Sequence, residues 1–298
     1  MSGVFDTSGM YEMSSPELRF ERRGEGPPLL LMHGLGSSLR IWDPVRPLLE
    51  TRMDVIAVDL PGHGGSPNPL PQASSPRALA LIIAAFLDRL GIQTAHLAGN
   101  SLGGWLALEL AKIGRARSVT ALSPAGLWRR RAPTYHVITF NTYRTLARRL
   151  RSTLPYLAGN PVTRTILLWQ FFGRPWAIPP AAAMEVSNAF ANASGFDAIF
   201  SATSQDRFRG GGAIDIPVSI AWGGRDVLLL PWQSRFRDEL PSCTRWMTLR
   251  GCGHVPTFDD PRAVANVILG TVCGQNSKVE VIDRCVGQAI GRPSISEI

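Results

Sequence analysis

Lysine is almost absent from this chain. Lys112 and Lys278 are the only two among 298 residues, so the formal net charge of +8 rests on arginine. The arginines are spread along the whole length without a recognised nucleic-acid motif, which argues against a nucleic-acid partner. Long apolar runs are also missing: no stretch of about 18 uninterrupted apolar residues occurs, so no transmembrane segment is expected. Residues Met1 to Pro16 contain Asp6 and Glu12 and lack the basic-then-apolar order of an export signal. A soluble, cytoplasmic protein is the expectation. Cysteine is scarce, and Cys243, Cys252, Cys273 and Cys285 show no metal-ligand spacing. Reduced thiols and no metal are expected.

What is present is ample apolar material. At 45% hydrophobic residues the chain can bury a sizeable core. One basic cluster is denser than the rest: Arg129, Arg130 and Arg131, then Arg144, Arg148, Arg149 and Arg151. It reads first as a solvated helical face, with an anionic substrate or an acidic lipid surface as alternatives.

The first half alternates strand and helix. Leu18 to Arg23 reads as a modest strand, and Pro28 to Met32 as an unbroken apolar strand of the kind covered on both faces. A helix is expected from Asp43 to Glu50, capped by Asp43 with Pro44 first, and a strand from Asp54 to Val58. Ser75 caps a helix that opens at Pro76, repeats Leu79, Ile82, Ile83, Phe86, Leu87 and Leu90, and stops at Gly91. Thr94 to Ala98 and Ser118 to Leu122 read as strands around a helix from Leu102 to Lys112. The repeat predicts an α/β fold: a mostly parallel central sheet with helices on both faces.

The alternation breaks between about 127 and 212, where amphipathic helices are expected over Tyr135–Leu150, Pro161–Phe172 and Ala181–Phe190. It resumes with strands at Pro217–Trp222 and Arg245–Leu249 and a helix at Pro261–Leu269, introduced by Asp259 and Asp260. The expected division is a flexible segment over 1–16, a core formed by 17–126 with 213–273, an α-helical cap over 127–212, and a tail over 274–298 that is loosely attached or disordered. The tail's apolar residues are chiefly Val279, Val281, Ile282 and Val286.

Three polar residues fall in loops just past strands. Gly99-Asn100-Ser101-Leu102-Gly103-Gly104 joins a strand to a helix, and a serine on so sharp a turn needs small residues two positions to either side. Such a turn lifts the Ser101 hydroxyl above the sheet and aims the helix's first amide, that of Leu102, at any anion formed there. Asp226 follows one late strand and His254 the next. Nucleophile, acid and base thus come in the order expected of a serine hydrolase on this kind of sheet. Asp197 and Asp206 rival Asp226 but lie in or near the helical insertion, while His96 and His136 rival His254 from a strand and a cap helix. His33 and His63 stand in glycine-rich loops before the serine and read as residues that hold backbone in place.

These motifs, with His33-Gly34-Leu35-Gly36, Asp59-Leu60-Pro61-Gly62-His63-Gly64, Gly224-Arg225-Asp226 and Gly253-His254-Val255-Pro256, resemble the α/β-hydrolase superfamily in its serine-nucleophile branch. The resemblance covers Leu18 to Leu269. It implies a catalytic triad of Ser101, Asp226 and His254, an oxyanion hole from the backbone N–H groups of Leu102 and Leu35, and no cofactor. A small apolar ester is the implied substrate, and a homodimer is left open. His33, Gly34, Trp128, Phe140, Trp169, Val227 and Val255 are the candidate pocket residues. The epoxide-hydrolase and haloalkane-dehalogenase branches use aspartate at the turn, where this chain has Ser101. The Gly-Asn-Ser form is similar to that of meta-cleavage carbon–carbon hydrolases, which usually carry tryptophan where Val255 stands. Carboxylic-ester hydrolysis is the preferred expectation, with carbon–carbon hydrolysis and a receptor or scaffold role as alternatives.

Overall fold

The computed structural model describes residues 17–274. The proposed segment 1–16, the tail beyond Gly274 and Cys285 lie outside the described residues. Strands β1 (Phe20–Arg23), β2 (Pro28–Met32), β3 (Asp54–Val58), β4 (Ala95–Asn100), β5 (Ala116–Leu122), β6 (Val218–Gly223) and β7 (Arg245–Leu249) form one sheet. Its order is β1-β3-β2-β4-β5-β6-β7. Only β1 runs antiparallel, against β3; every other pairing is parallel.

Parallel strands are buried on both faces, and their residues divide accordingly. Leu30, Met32, Ile56, Val58, Leu97 and Val119 point to the face covered by α2 (Pro76–Arg89) and α3 (Leu102–Lys112). Leu29, Leu31, Val55, Ala57 and Ala98 point the other way, toward α1 (Arg46–Leu49) and α10 (Pro261–Val272). Helix α2 starts as its sequence predicts: Ser75 Oγ accepts from the Ala78 amide and Pro76 occupies the first turn. Helix α10 starts likewise on Asp260, whose carboxylate accepts from the Ala263 amide.

The expected helix from Asp43 is corrected. A 3-10 turn at Leu39–Trp42 precedes a single α turn, α1, which Val45 rather than Asp43 leads. The turn starts early because the Leu39 amide donates to buried Asp59 at 2.7 Å, while Ser38 Oγ accepts from the Arg40 amide. Asp43 therefore closes that turn, its amide donating to the Arg40 carbonyl.

Between β5 and β6 the chain is helical: α4 (Thr134–Arg149), α5 (Leu154–Gly159), α6 (Pro161–Leu168), α7 (Pro180–Asn192) and α8 (Phe196–Gln205). A last short helix, α9 (Pro231–Ser234), follows β6. Three of these helices, α5, α8 and α9, are absent from the sequence reading. Helix α8 does carry a stripe, Phe196, Ile199, Phe200 and Thr203. Its hydroxyls disguise it, but Thr203 Oγ1 turns back onto the Ile199 carbonyl and is buried. The insertion's apolar side merges with the α1/α10 face of the sheet into one core.

Candidate active site

Ser101 sits at the joint of β4 and α3 with φ 53° and ψ −113°, a conformation that costs a non-glycine residue on the order of 1–3 kcal/mol. The surroundings over-determine it. The Ser101 amide donates to the Leu122 carbonyl, and the Ser101 carbonyl accepts from Trp105 and Ala125. Gly99 and Gly103 are required by contact: a Cβ on Gly99 would lie 2.1 Å from the Gly103 carbonyl oxygen, and one on Gly103 2.3 Å from that of Met32. The small residues flanking the serine are thus dictated by the closeness of helix, strand and neighbouring strand.

Asp226 follows β6. Its Oδ1 accepts from the amides of Leu228 and Leu229, both at 3.0 Å, and its Oδ2 accepts from His254 Nδ1 at 2.9 Å. Burial works against the carboxylate's charge, but His254, these amides and Arg235 outweigh it and hold Asp226 below the ordinary carboxylate range. A carboxylate on Nδ1 makes that nitrogen the donor and leaves Nε2 as the acceptor. Nε2 is buried and has no hydrogen-bond partner among the described residues.

The loop carrying His254 is tied down from two sides. Asn100 Nδ2 donates to the carbonyls of His254, at 2.9 Å, and Leu122, at 3.1 Å. Asp259 accepts from the amides of Gly253, Gly173 and Arg174 at 2.8–2.9 Å, joining the histidine loop to the segment after α6. The Val255 amide adds a bond to the Phe171 carbonyl.

Ser101 and His254 open onto one apolar cavity, about 620 Å³ with its mouth included. Gly34, Leu35, Asn100 and Val255 border it at the sheet edge, and Phe140, Tyr143, Leu167, Phe171 and Phe190 wall it from the insertion. The Tyr143 hydroxyl is buried without a hydrogen-bond partner among the described residues, and burial raises its pKa. Among the described residues no arginine borders the cavity. Arg144 instead donates to the Phe190 and Ala193 carbonyls and covers the Phe196 ring.

Of the residues expected at the pocket, Gly34, Phe140 and Val255 border it, and so do Leu35, Ser101 and His254. Leu102 opens α3 directly behind the serine. Four expectations are corrected. His33 is buried beneath its loop, its Nε2 accepting from the Leu60 amide and its Nδ1 donating to the Gly34 carbonyl. Trp128 is buried against Trp105, its indole N–H donating to the Asp206 carbonyl. Trp169 is 48% exposed and turns outward. Val227 offers its carbonyl to the Tyr135 hydroxyl rather than its side chain to the cavity. The tie that Asn100 and Asp259 make to the histidine loop is what sequence reasoning missed, having read Asp259 with Asp260 as introducing α10 and Asn100 as part of the Gly-Asn-Ser turn. The spacing of Phe140, Tyr143 and Ala147 on α4 is the signal that could have found the insertion's wall.

Burial keeps His63 and His136 neutral, lowering each to about 3, and lowers His33 in the same way. His63 donates from Nδ1 to the Pro61 carbonyl. His136 lies among Trp128, Phe140 and Phe200 and also feels the charge of His254.

Comparison with known proteins places the geometry in context. Residues 29–267 match the model of a family described as "Alpha/beta hydrolase family". A relative named epoxide hydrolase EphH, from Mycobacterium tuberculosis, is 32% identical over 196 residues, covering 61% of this chain and 87% of its own length. The dihydrolipoyllysine-residue acetyltransferase component of an acetoin cleaving system from Pseudomonas putida is 43% identical over 111 residues, and there the match spans only 30% of the relative. Among solved structures, the enol-lactonase of Burkholderia xenovorans LB400 superposes with a TM-score of 0.71 at 21% identity, covering 87% of this chain and 97% of the other.

Proposed function

The chain belongs to the alpha/beta hydrolase family, and from that premise we propose that it is a serine hydrolase of carboxylic esters with Ser101, His254 and Asp226 as its triad. The observation that carries this reading is the pairing of a strained serine turn with a carboxylate-bound histidine at the mouth of one apolar cavity.

In this reading His254 Nε2 takes the Ser101 proton as the hydroxyl oxygen attacks the ester carbonyl, and then returns it to the leaving alcohol. Asp226 fixes the imidazole's tautomer and stabilises the imidazolium. The backbone N–H groups of Leu102 and Leu35 meet the tetrahedral oxyanion, and loss of one such donor typically costs roughly 2.7–4 kcal/mol of barrier. Water then releases the acyl group by the same steps in reverse roles. The apolar wall favours an apolar acyl or alcohol portion. Epoxide opening on this fold is expected to use an aspartate at position 101, so the serine argues for the ester.

A second reading, carbon–carbon hydrolysis of the meta-cleavage type, is favoured by the Asn100-Ser101 pair and opposed by Val255. The test is labelling by a fluorophosphonate probe with turnover of p-nitrophenyl esters of graded chain length. Wild type should label and turn over, and Ser101→Ala should do neither. Equal labelling of Ser101→Ala would overturn the assignment. Rapid cleavage of a vinylogous diketone with poor ester turnover would transfer it to the carbon–carbon reaction.

A further inference from the structure

Helix α6 is apolar on two opposite faces. Leu167 and Leu168 point inward and wall the cavity. Val162 and Ile166 point outward, 65% and 69% exposed, and Trp169 just past the helix continues their row at the i, i+4, i+7 spacing. A globular protein ordinarily gives a surface helix one apolar stripe; a second, solvent-facing one marks contact with something else.

The outer row is extended and held rigid by its neighbours. Tyr156 on α5 is 82% exposed, and Trp176 on the 3-10 turn Pro175–Ala177 is 51% exposed. Buried Arg164, on the opposite side of α6, binds the Ala158 carbonyl at the end of α5 and the Pro175 and Trp176 carbonyls of the turn. One guanidinium therefore fixes three elements as a single platform.

The stretch of chain that builds the platform carries charge of one sign. No aspartate or glutamate occurs between Glu109 and Glu185, whereas arginines recur throughout that stretch. Arg149 and Arg151 stand exposed where α4 turns into α5. Aliphatic side chains at the centre, Trp and Tyr beside them and arginine around them suit the boundary between headgroups and acyl chains of an anionic membrane.

We propose that the outer face of α5 and α6, with Trp176, docks on an anionic phospholipid bilayer, peripherally and without spanning it. A second copy of the chain fits this face poorly, because an isologous contact would set its arginines against each other. An acidic protein would satisfy the arginines but leave a row of Val, Ile and Trp needing a matched apolar partner. The bilayer satisfies both. No helix among the described residues is long and apolar enough to cross a membrane, so the attachment is to the surface. The inference does not depend on the reaction assigned to Ser101, since binding is read without turnover.

The experiment is flotation of the full chain with vesicles of phosphatidylcholine alone or with about 30 mol% phosphatidylglycerol. The expected result is at least tenfold (about one order of magnitude) more binding to the anionic vesicles, lost in about 0.5 M salt. Val162→Ser with Ile166→Glu should abolish binding at unchanged thermal melting, and Arg149→Gln with Arg151→Gln should abolish the preference for anionic lipid. Failure of wild type to float, equal binding to both vesicles, or variants that float like wild type would each overturn the proposal. So would a dimer in sedimentation equilibrium that Ile166→Glu dissociates, which would assign the face to a second copy.

Discussion

Asn100 has two roles that its neighbours impose. As the last residue of β4 it precedes the strained serine, and its side chain spans to the carbonyls of Leu122 and His254. Both partners are acceptors, so the amide nitrogen rather than the oxygen must face them. The contact fixes the distance between the strand that carries the nucleophile and the loop that carries its base. Asn100→Ala leaves the buried His254 carbonyl without its donor, and the Leu122 carbonyl with the Ser101 amide in place of two donors, and is expected to destabilise the fold by about 2 kcal/mol. In an ester assay, kcat should fall about tenfold with a smaller change in KM, because the misplaced group is His254 and not a substrate contact. Asn100→Asp sets a carboxylate against the same two carbonyls and should be worse than alanine on both counts; the reverse order in urea denaturation would refute this account. Position 100 also shows why sequence legibility stops at the residue scale. An asparagine before the serine is visible, but its partner lies 154 positions away.

Among the elements, the segment after α6 and the loop after β7 behave as one piece. Asp259 accepts three amides from them, and Arg225 adds a bond to the Gly173 carbonyl. The buried carboxylate thereby links the cavity wall at Phe171 and Phe172 to the backbone of His254. Asp259→Ala should cost about 3 kcal/mol in chemical denaturation, since the buried amides of Gly173 and Gly253 and the partly buried amide of Arg174 lose a carboxylate acceptor. Activity should fall with it, whereas Asp260→Ala, which removes only the α10 cap, should cost about 1 kcal/mol and leave kcat near wild type. Equal effects of the two substitutions would refute the link. The difference between these adjacent aspartates was not legible, because both look like helix caps. Strands were legible where the sheet demands continuous apolar residues, as at Pro28–Met32 and Asp54–Val58. The serine turn was legible because close backbone contact forces glycine at 99 and 103. The cavity wall was less so: Trp128, Trp169 and Phe171 are equally aromatic in sequence, and only tertiary packing sends one inward to the core, one to solvent and one to the cavity.

At the scale of the whole molecule, the buried histidines set an acid limit that the carboxylates do not. His63 and His136 titrate near 3 in the folded chain, and His33 is lowered with them, while an unfolded histidine titrates near 6.5. Between these values the unfolded chain binds protons that the folded chain refuses, so stability rises with pH across that window and falls as the solution is acidified. From pH 7 to 5.5 each of His63 and His136 should remove about 1.2 kcal/mol, and His33 adds in the same direction. Asp59 and Asp226 are shifted in the same sense, with folded values below the ordinary carboxylate range, but their window lies lower. Their contribution is fully present above about pH 4 and is lost only as pH falls below it, so they cannot cause a change between 7 and 5.5. Calorimetric melting should therefore show the midpoint falling from near pH 6.5 downward, well before carboxylates titrate. His136→Phe, a substitution among Phe140, Phe200 and Trp128, should flatten the pH dependence by about one histidine's share, roughly 1 kcal/mol over the same range. A midpoint that stays level to pH 5 in wild type, or an unaltered slope in a well-folded His136→Phe, would show that these histidines are not held neutral by burial.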